Sequence, residues 1–237
     1  TRSKALRGHL LAAGSAAEPA VKSSAPLLEA HDDPDAALRG MVRSALSQIL
    51  PNASALAADA GGPEHLHQAR IGLRRLLAAL REFGAWSDAV DGQWAIDARQ
   101  LFGELGRARD RDAIAAALWP ALRKAGAPLW QLDAMSAAAD AGAVFRAPAA
   151  TQCLLGLIGF ACTAAAPPAN DERPALKDLA QARLRRLHRQ VHGAGEGFAL
   201  QDSASRHRAR KRLKRLRYGA EFTSALWPDR AWAAYSE

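Results

Sequence analysis

Two short segments of the chain repeat one another in the residue types that bind anions. Residues 67–76 read HQARIGLRRL and residues 207–216 read HRARKRLKRL; six of the ten aligned positions are identical, at an offset of 140 residues. Arg74 against Lys214 keeps the charge. A guanidinium is a planar fork that meets two phosphate oxygens at once, and an ammonium adds a mobile point charge. Such a set grips an oxyanion rather than breaking a bond. No phosphate-cradling glycine loop with its lysine, no His-Glu-x-x-His pair and no Gly-x-Ser-x-Gly elbow accompanies it. The basic segments also lack the clustered carboxylates of a metal-dependent phosphohydrolase.

Only a helix turns this spacing into a site. At about 100° per residue, Arg70, Arg74 and Arg81 fall within about 60° of His67, in a stripe about 21 Å long. Leu73, Leu76 and Leu80 fall on the opposite side. In the second copy His207, Arg210, Lys211, Lys214 and Tyr218 share one face, and Ala209, Leu213, Leu216 and Ala220 the other. Like charges one turn apart repel by a few tenths of a kcal/mol per pair. No acidic residue interrupts either stripe to relieve this. A solvated face is the plain alternative for one such stripe; two copies with the same histidine spacing favour a ligand.

The surrounding elements read as helices throughout. Residues 1–34 read as a linker or the tail of an upstream module, and a chain that opens on Thr1 reads as a piece of something longer. Asp33 as cap with Pro34 at the first helical position starts a helix that should stop before Pro51. Gly61-Gly62-Pro63-Glu64 opens the first basic helix, ending near Gly84. Further helices are expected near 92–105, 110–125, 128–146, 150–164 and 175–192, with a break at Gly193–Gly197. The last, basic one spans 203–226 and stops before Pro228. No alternating strand pattern is present.

Composition narrows the partner. The chain of 237 residues is 49% hydrophobic, enough for a sizeable core, and Ala and Leu outweigh the β-branched residues. Its net charge of +8 and pI near 10.2 point to an acidic partner. Cys153 and Cys162 sit about 13.5 Å apart along one apolar helix, too far for a disulfide, and read as reduced thiols of a cytoplasmic protein. The apolar run from Cys153 to Ala166 is shorter than the roughly 20 residues a membrane helix needs. No metal-ligand cluster surrounds the cysteines, and no cofactor is implied. The six tryptophans are scattered away from the basic stripes, which disfavours base stacking. A second basic run, Arg183, Arg185, Arg186, His188, Arg189 and His192, reads either as an extension of an anion-binding surface or as a solvated face. The same holds for Arg39 and Arg43, one turn apart on the first helix.

The H-x-x-R-x-x-x-R/K-R pattern at 67–75 and 207–215 resembles the CHAD domain, the conserved histidine α-helical domain. Leu105-Gly106-Arg107-Ala108-Arg109-Asp110-Arg111-Asp112 is similar to that family's Leu-Gly-x-x-Arg-Asp-x-Asp element, and Arg215-Leu216-Arg217-Tyr218 to the usual continuation of the second signature. The resemblance covers about residues 35–237, in halves of about 35–146 and 147–237. It implies an all-α fold of two pseudo-symmetric helical bundles around a basic central channel, and binding of inorganic polyphosphate. By position it carries over His67, Arg70, Arg74 and Arg75, then Arg109, then His207, Arg210, Lys214, Arg215 and Arg217. The stripes add Arg81, Lys211 and Tyr218; Arg39, Arg43 and Arg186 extend the set. Asp110 and Asp112 are read as helix-start residues that orient nearby arginines. The chain ends soon after the second signature, so the second half reads as incomplete. Thr1–Gly8 resembles the tail of a CYTH module without its acidic motif, which suggests a fused or associated phosphate enzyme. The expectation is a non-enzymatic polyphosphate-binding module, possible targeting to polyphosphate granules included, with a nucleic-acid-binding helical domain as the alternative.

Overall fold

Asp33 begins the first helix as its spacing predicts. Its Oδ1 accepts from the Asp35 amide at 2.8 Å and its carbonyl from the Ala37 amide at 2.9 Å. In the computed structural model, residues 18–29, 32–126, 140–165 and 174–228 are described, with isolated positions before residue 18; for 108–123 the backbone alone is described. Among these, the elements are α1 (Pro34–Ala57), α2 (Pro63–Phe83), α3 (Gly92–Lys124), α4 (Ala141–Arg146), α5 (Pro148–Cys162), α6 (Leu176–Gly195) and α7 (Ser203–Thr223). Short 3-10 turns follow α2 and α6 and close α7. No strand occurs among the described residues.

Four boundaries differ from the sequence expectation, among them the helix expected near 128–146: Asp140 is non-helical and caps the short α4, and 127–139 lie outside the described residues. α1 passes through Pro51 and ends at Ala57. Proline removes one ladder bond and crowds the preceding turn. Here the turn is held from outside: the buried Asn52 amide donates to the Gln48 carbonyl at 2.6 Å and the Val21 carbonyl at 2.9 Å, and accepts from the Val21 amide at 3.1 Å. Residues 92–124 form one helix rather than two. α6 runs through Gly193 to Gly195, and the turn falls on Gly197, whose φ of +62° suits glycine.

The chain packs into two compact units. Unit one holds Ala45–Arg74 and Asp91–Leu157 with the N-terminal segment to Ser23; unit two holds Ser24–Ser44, Arg75–Val90 and Ile158–Glu237. In unit one, α1 and α2 cross closely at Gly72, where a Cβ would stand 2.6 Å from Ile49 Cγ1. Gln48 donates to Gln68 across that crossing at 2.8 Å, satisfying two buried amides. Leu66, Ala69 and Leu73 are buried beside it. In unit two, α6 and α7 pack as an antiparallel pair: Gly219 lies against Leu184 and Leu187, and Arg212 Nη1 donates to the Gln190 carbonyl at 3.4 Å. Phe83, Phe222 and Leu176 are fully buried there, each contributing about 1.5–3 kcal/mol.

Cys153 is buried and Cys162 exposed, both free. Burial pushes the Cys153 thiol up to about 11. No described helix is long and apolar enough to cross a membrane.

Candidate functional site

The basic side chains sort into those enclosed by the fold and those open to solvent. In unit one, α2 carries His67, Arg70 and Arg74. The Arg70 guanidinium lies over the Phe102 ring at 4.8 Å and Arg74 lies over the same ring at 5.3 Å. Arg70 is 9% exposed and also rests against Gly106, where a Cβ would stand 2.8 Å from its Nη1. The glycine of the Leu-Gly-x-x-Arg-Asp element therefore leaves room for an arginine of the first signature. An aromatic face attracts a cation by about 0.5–2 kcal/mol, depending on desolvation, so Phe102 holds two like charges side by side. The buried Nδ1 of His67 has no hydrogen-bond partner among the described residues. Arg109, Asp110 and Asp112 lie where only the backbone is described, so their expected roles fall outside the described side chains.

In unit two the neighbouring Arg75 behaves differently. It is fully buried, its Nε 2.9 Å from Glu221 Oε1, and its Nη2 donates to the Ser24 carbonyl at 2.8 Å and Ser44 Oγ at 3.0 Å. Burial holds its pKa below the usual arginine value, and Glu221 opposes that shift. Arg39 is likewise enclosed. Its Nε meets Asp35 at 3.0 Å and its Nη1 donates to the Phe160 carbonyl at 2.6 Å. Arg43 Nη2 donates to the Ala161 carbonyl at 2.6 Å. Both cations thus satisfy the last carbonyls of α5, where the helix dipole favours positive charge.

Glu82, which the sequence reading passed over, gathers three arginines. Its side chain is fully buried, with Arg215 Nε at 2.5 Å, Arg183 Nη2 at 2.8 Å and Arg81 Nε at 3.6 Å. One carboxylate thereby ties α2 to α6 and α7. Along α7, His207, Arg210, Lys211, Lys214 and Arg217 are exposed. Of these, only Arg217 has a described protein contact, lying over the Tyr218 ring at 5.0 Å.

Two face assignments in α7 are corrected. Tyr218 is 2% exposed rather than part of the open basic face, because from Tyr218 onward the helix enters the interior with Gly219, Ala220, Phe222 and Thr223. Leu213 is 54% exposed, although Leu73 at the same repeat position is fully buried. On α6, Arg185, Arg186, His188 and Arg189 are exposed.

The CHAD domain family model matches residues 40–237. This chain belongs to the CHAD domain family. The crystal structure of the CHAD domain from the plant Ricinus communis is similar to it, with a TM-score of 0.73 and 27% identity, over 91% of this chain and 74% of that one. No curated protein matches the chain. In this CHAD domain the two basic motifs lie on α2 and α7. They did not separate an enclosed arginine from an open one, and they missed Phe102, Glu82 and Glu221. A signal for Glu82 was present: it is the only acid between Glu64 and Asp88, in a segment crowded with arginine.

Proposed function

We propose that this CHAD domain binds inorganic polyphosphate, or a flexible polyanion of similar charge density, and acts as a binding module rather than an enzyme. The observation that carries the reading is the row His207, Arg210, Lys211 and Lys214 on α7. These side chains are exposed and have no hydrogen bond or ion pair among the described residues, while other arginines of the same motifs are held inside. Phosphate oxygens supply the missing acceptors, and each charge-assisted bond contributes on the order of 1.5–3 kcal/mol.

The proposed contacts of unit one are His67, Arg70 and Arg74, and those of unit two are Arg81 with His207, Arg210, Lys211, Lys214 and Arg217. Arg109 and Arg186 extend them. Arg75, Arg39, Arg43, Arg215 and Tyr218 act instead as positioning residues, through the partners described above. Targeting to polyphosphate granules, a cytoplasmic location and association with a phosphate enzyme are consistent extensions. The test is competition at physiological salt: long-chain polyphosphate should displace labelled polyphosphate at far lower concentration than RNA or DNA. Equal displacement by nucleic acid would replace this reading with the nucleic-acid alternative.

A further inference from the structure

The α6–α7 pair carries cations on two sides. Residues 179–195 contain Arg183, Arg185, Arg186 and Arg189 with His188 and His192, and no acid. Residues 203–220 contain eight arginines and lysines, and again no acid. Two adjacent helices of one sign repel each other, and within each helix the i, i+4 pairs repel as well. Glu82 neutralises only the side that faces α2, through Arg183 and Arg215.

The contacts between the helices fix where the remaining charges point. α6 meets α7 through Leu184 and Leu187, and its buried residues are Leu176, Ala180 and Leu187. At about 100° per residue, Arg185, Arg189 and His192 lie about 140–160° from Leu187. α7 meets α6 through Gly219 and Arg212. Arg206, Arg210, Lys214 and Arg217 lie about 140–180° from Gly219 on the same reckoning. The two sets therefore face away from one another across the pair. Arg185 and Arg189 have no hydrogen bond or ion pair among the described residues, and with His188, Leu184 and Trp227 they line an open groove of about 430 Å³. Along the sequence of α6 the flanking acids are Asp178 and Glu196, the latter 3.6 Å from His192.

We propose that the outward face of α6, centred on Arg185 and Arg189, is a second polyanion-binding face opposed to that of α7, so that one domain holds two polyphosphate chains and cross-links them. The proposal rests on the polyphosphate reading and adds bivalence to it. Two faces on one rigid pair convert binding into bridging without any new contact chemistry.

The experiment uses the full chain with two populations of long-chain polyphosphate, end-labelled with donor and acceptor dyes. The protein should bring donor and acceptor together, with energy transfer rising to a maximum and falling again at protein excess, when each chain saturates separately. Arg185→Gln with Arg189→Gln should abolish the transfer. Affinity measured on a single labelled chain should change by less than about threefold, because exposed charges beyond the Debye length of about 8 Å are screened. Lys22→Gln with Lys124→Gln removes the same charge from other exposed positions and should keep the transfer. Unchanged transfer in the α6 variant overturns the proposal. So does a joint loss of transfer and tenfold or more of affinity, which would make the two faces one site. Absence of binding by the native chain overturns the polyphosphate reading itself, whereas binding without transfer overturns bivalence alone.

Discussion

Arg74 and Arg75 are adjacent and of one type, yet one lies over an aromatic ring and the other is sealed inside with a carboxylate. Their mutants should separate accordingly. Glu221→Ala removes the carboxylate facing the buried Arg75 and should cost about 3–5 kcal/mol of stability, read as a lowered denaturant midpoint. Lys214→Ala should leave the midpoint unchanged and weaken polyphosphate binding. A second contrast concerns the thiols. With its pKa raised to about 11, Cys153 stays protonated in the fold at pH 9, whereas in the unfolded chain it ionises near 9.0. Stability from this group is therefore complete below pH 9 and lost as pH rises through 11. Alkylation of the native protein at pH 8.5 should mark Cys162 and spare Cys153 until the chain is unfolded. The sequence disclosed the charge of each arginine but not its enclosure. Whether Arg75 is inside depends on Glu221, which lies 146 positions away and reaches it only through packing.

Helices were more legible than their ends. Apolar spacing and the Asp33 cap marked the first start, whereas the cap of α7 emerges only from the structure, where Asp202 Oδ1 accepts from the Ser205 amide at 2.6 Å. Pro51 is a local breaker overruled by tertiary support, through the Asn52 bonds to Val21, and α6 runs through Gly193 to Gly195. Glycines inside helices hold information of another kind, and two of them should respond in opposite ways to a methyl group. Gly72→Ala drives a Cβ into Ile49 at a closed crossing and should cost about 1–3 kcal/mol by overpacking. At Gly106 the obstacle is the guanidinium end of Arg70, a side-chain tip rather than backbone. Gly106→Ala should then leave the thermal midpoint unchanged or raise it, since alanine is favoured in a helix interior by about 0.5–1 kcal/mol. It should weaken polyphosphate binding severalfold by displacing the guanidinium. A midpoint lowered by more than Gly72→Ala lowers it would contradict this account of Gly106.

At the scale of the whole molecule the charge is the first fact and the least specific. A surplus of +8 attracts any polyanion, so the useful measurements are those that bulk charge cannot mimic. Affinity for long chains should fall steeply with salt, by the counterion-release logic that governs nucleic acids. Pyrophosphate should bind far more weakly, because the row from His207 to Arg217 extends about 15 Å along the helix, beyond the reach of two phosphates. Arg70→Ala with Lys214→Ala should weaken long-chain binding much more than Lys22→Gln with Lys124→Gln, at equal loss of charge. Equal losses from the two double variants would reduce the proposed contacts to a diffuse field. Family and all-helical class were readable because three separated motifs recur in order. Each unit is assembled from distant stretches of chain, a kind of arrangement that local patterns do not carry.

Glu82 constrains how this sequence can drift over generations. With Arg183 and Arg215 both docked on one enclosed carboxylate, replacing Glu82 alone leaves two arginines without their acid, whereas loss of either arginine still leaves Glu82 one partner. Glu82→Ala should therefore cost about 3–5 kcal/mol, while replacing all three by methionine should recover most of the loss. Among related sequences, a lineage that has lost the acid at 82 should have lost both arginines as well.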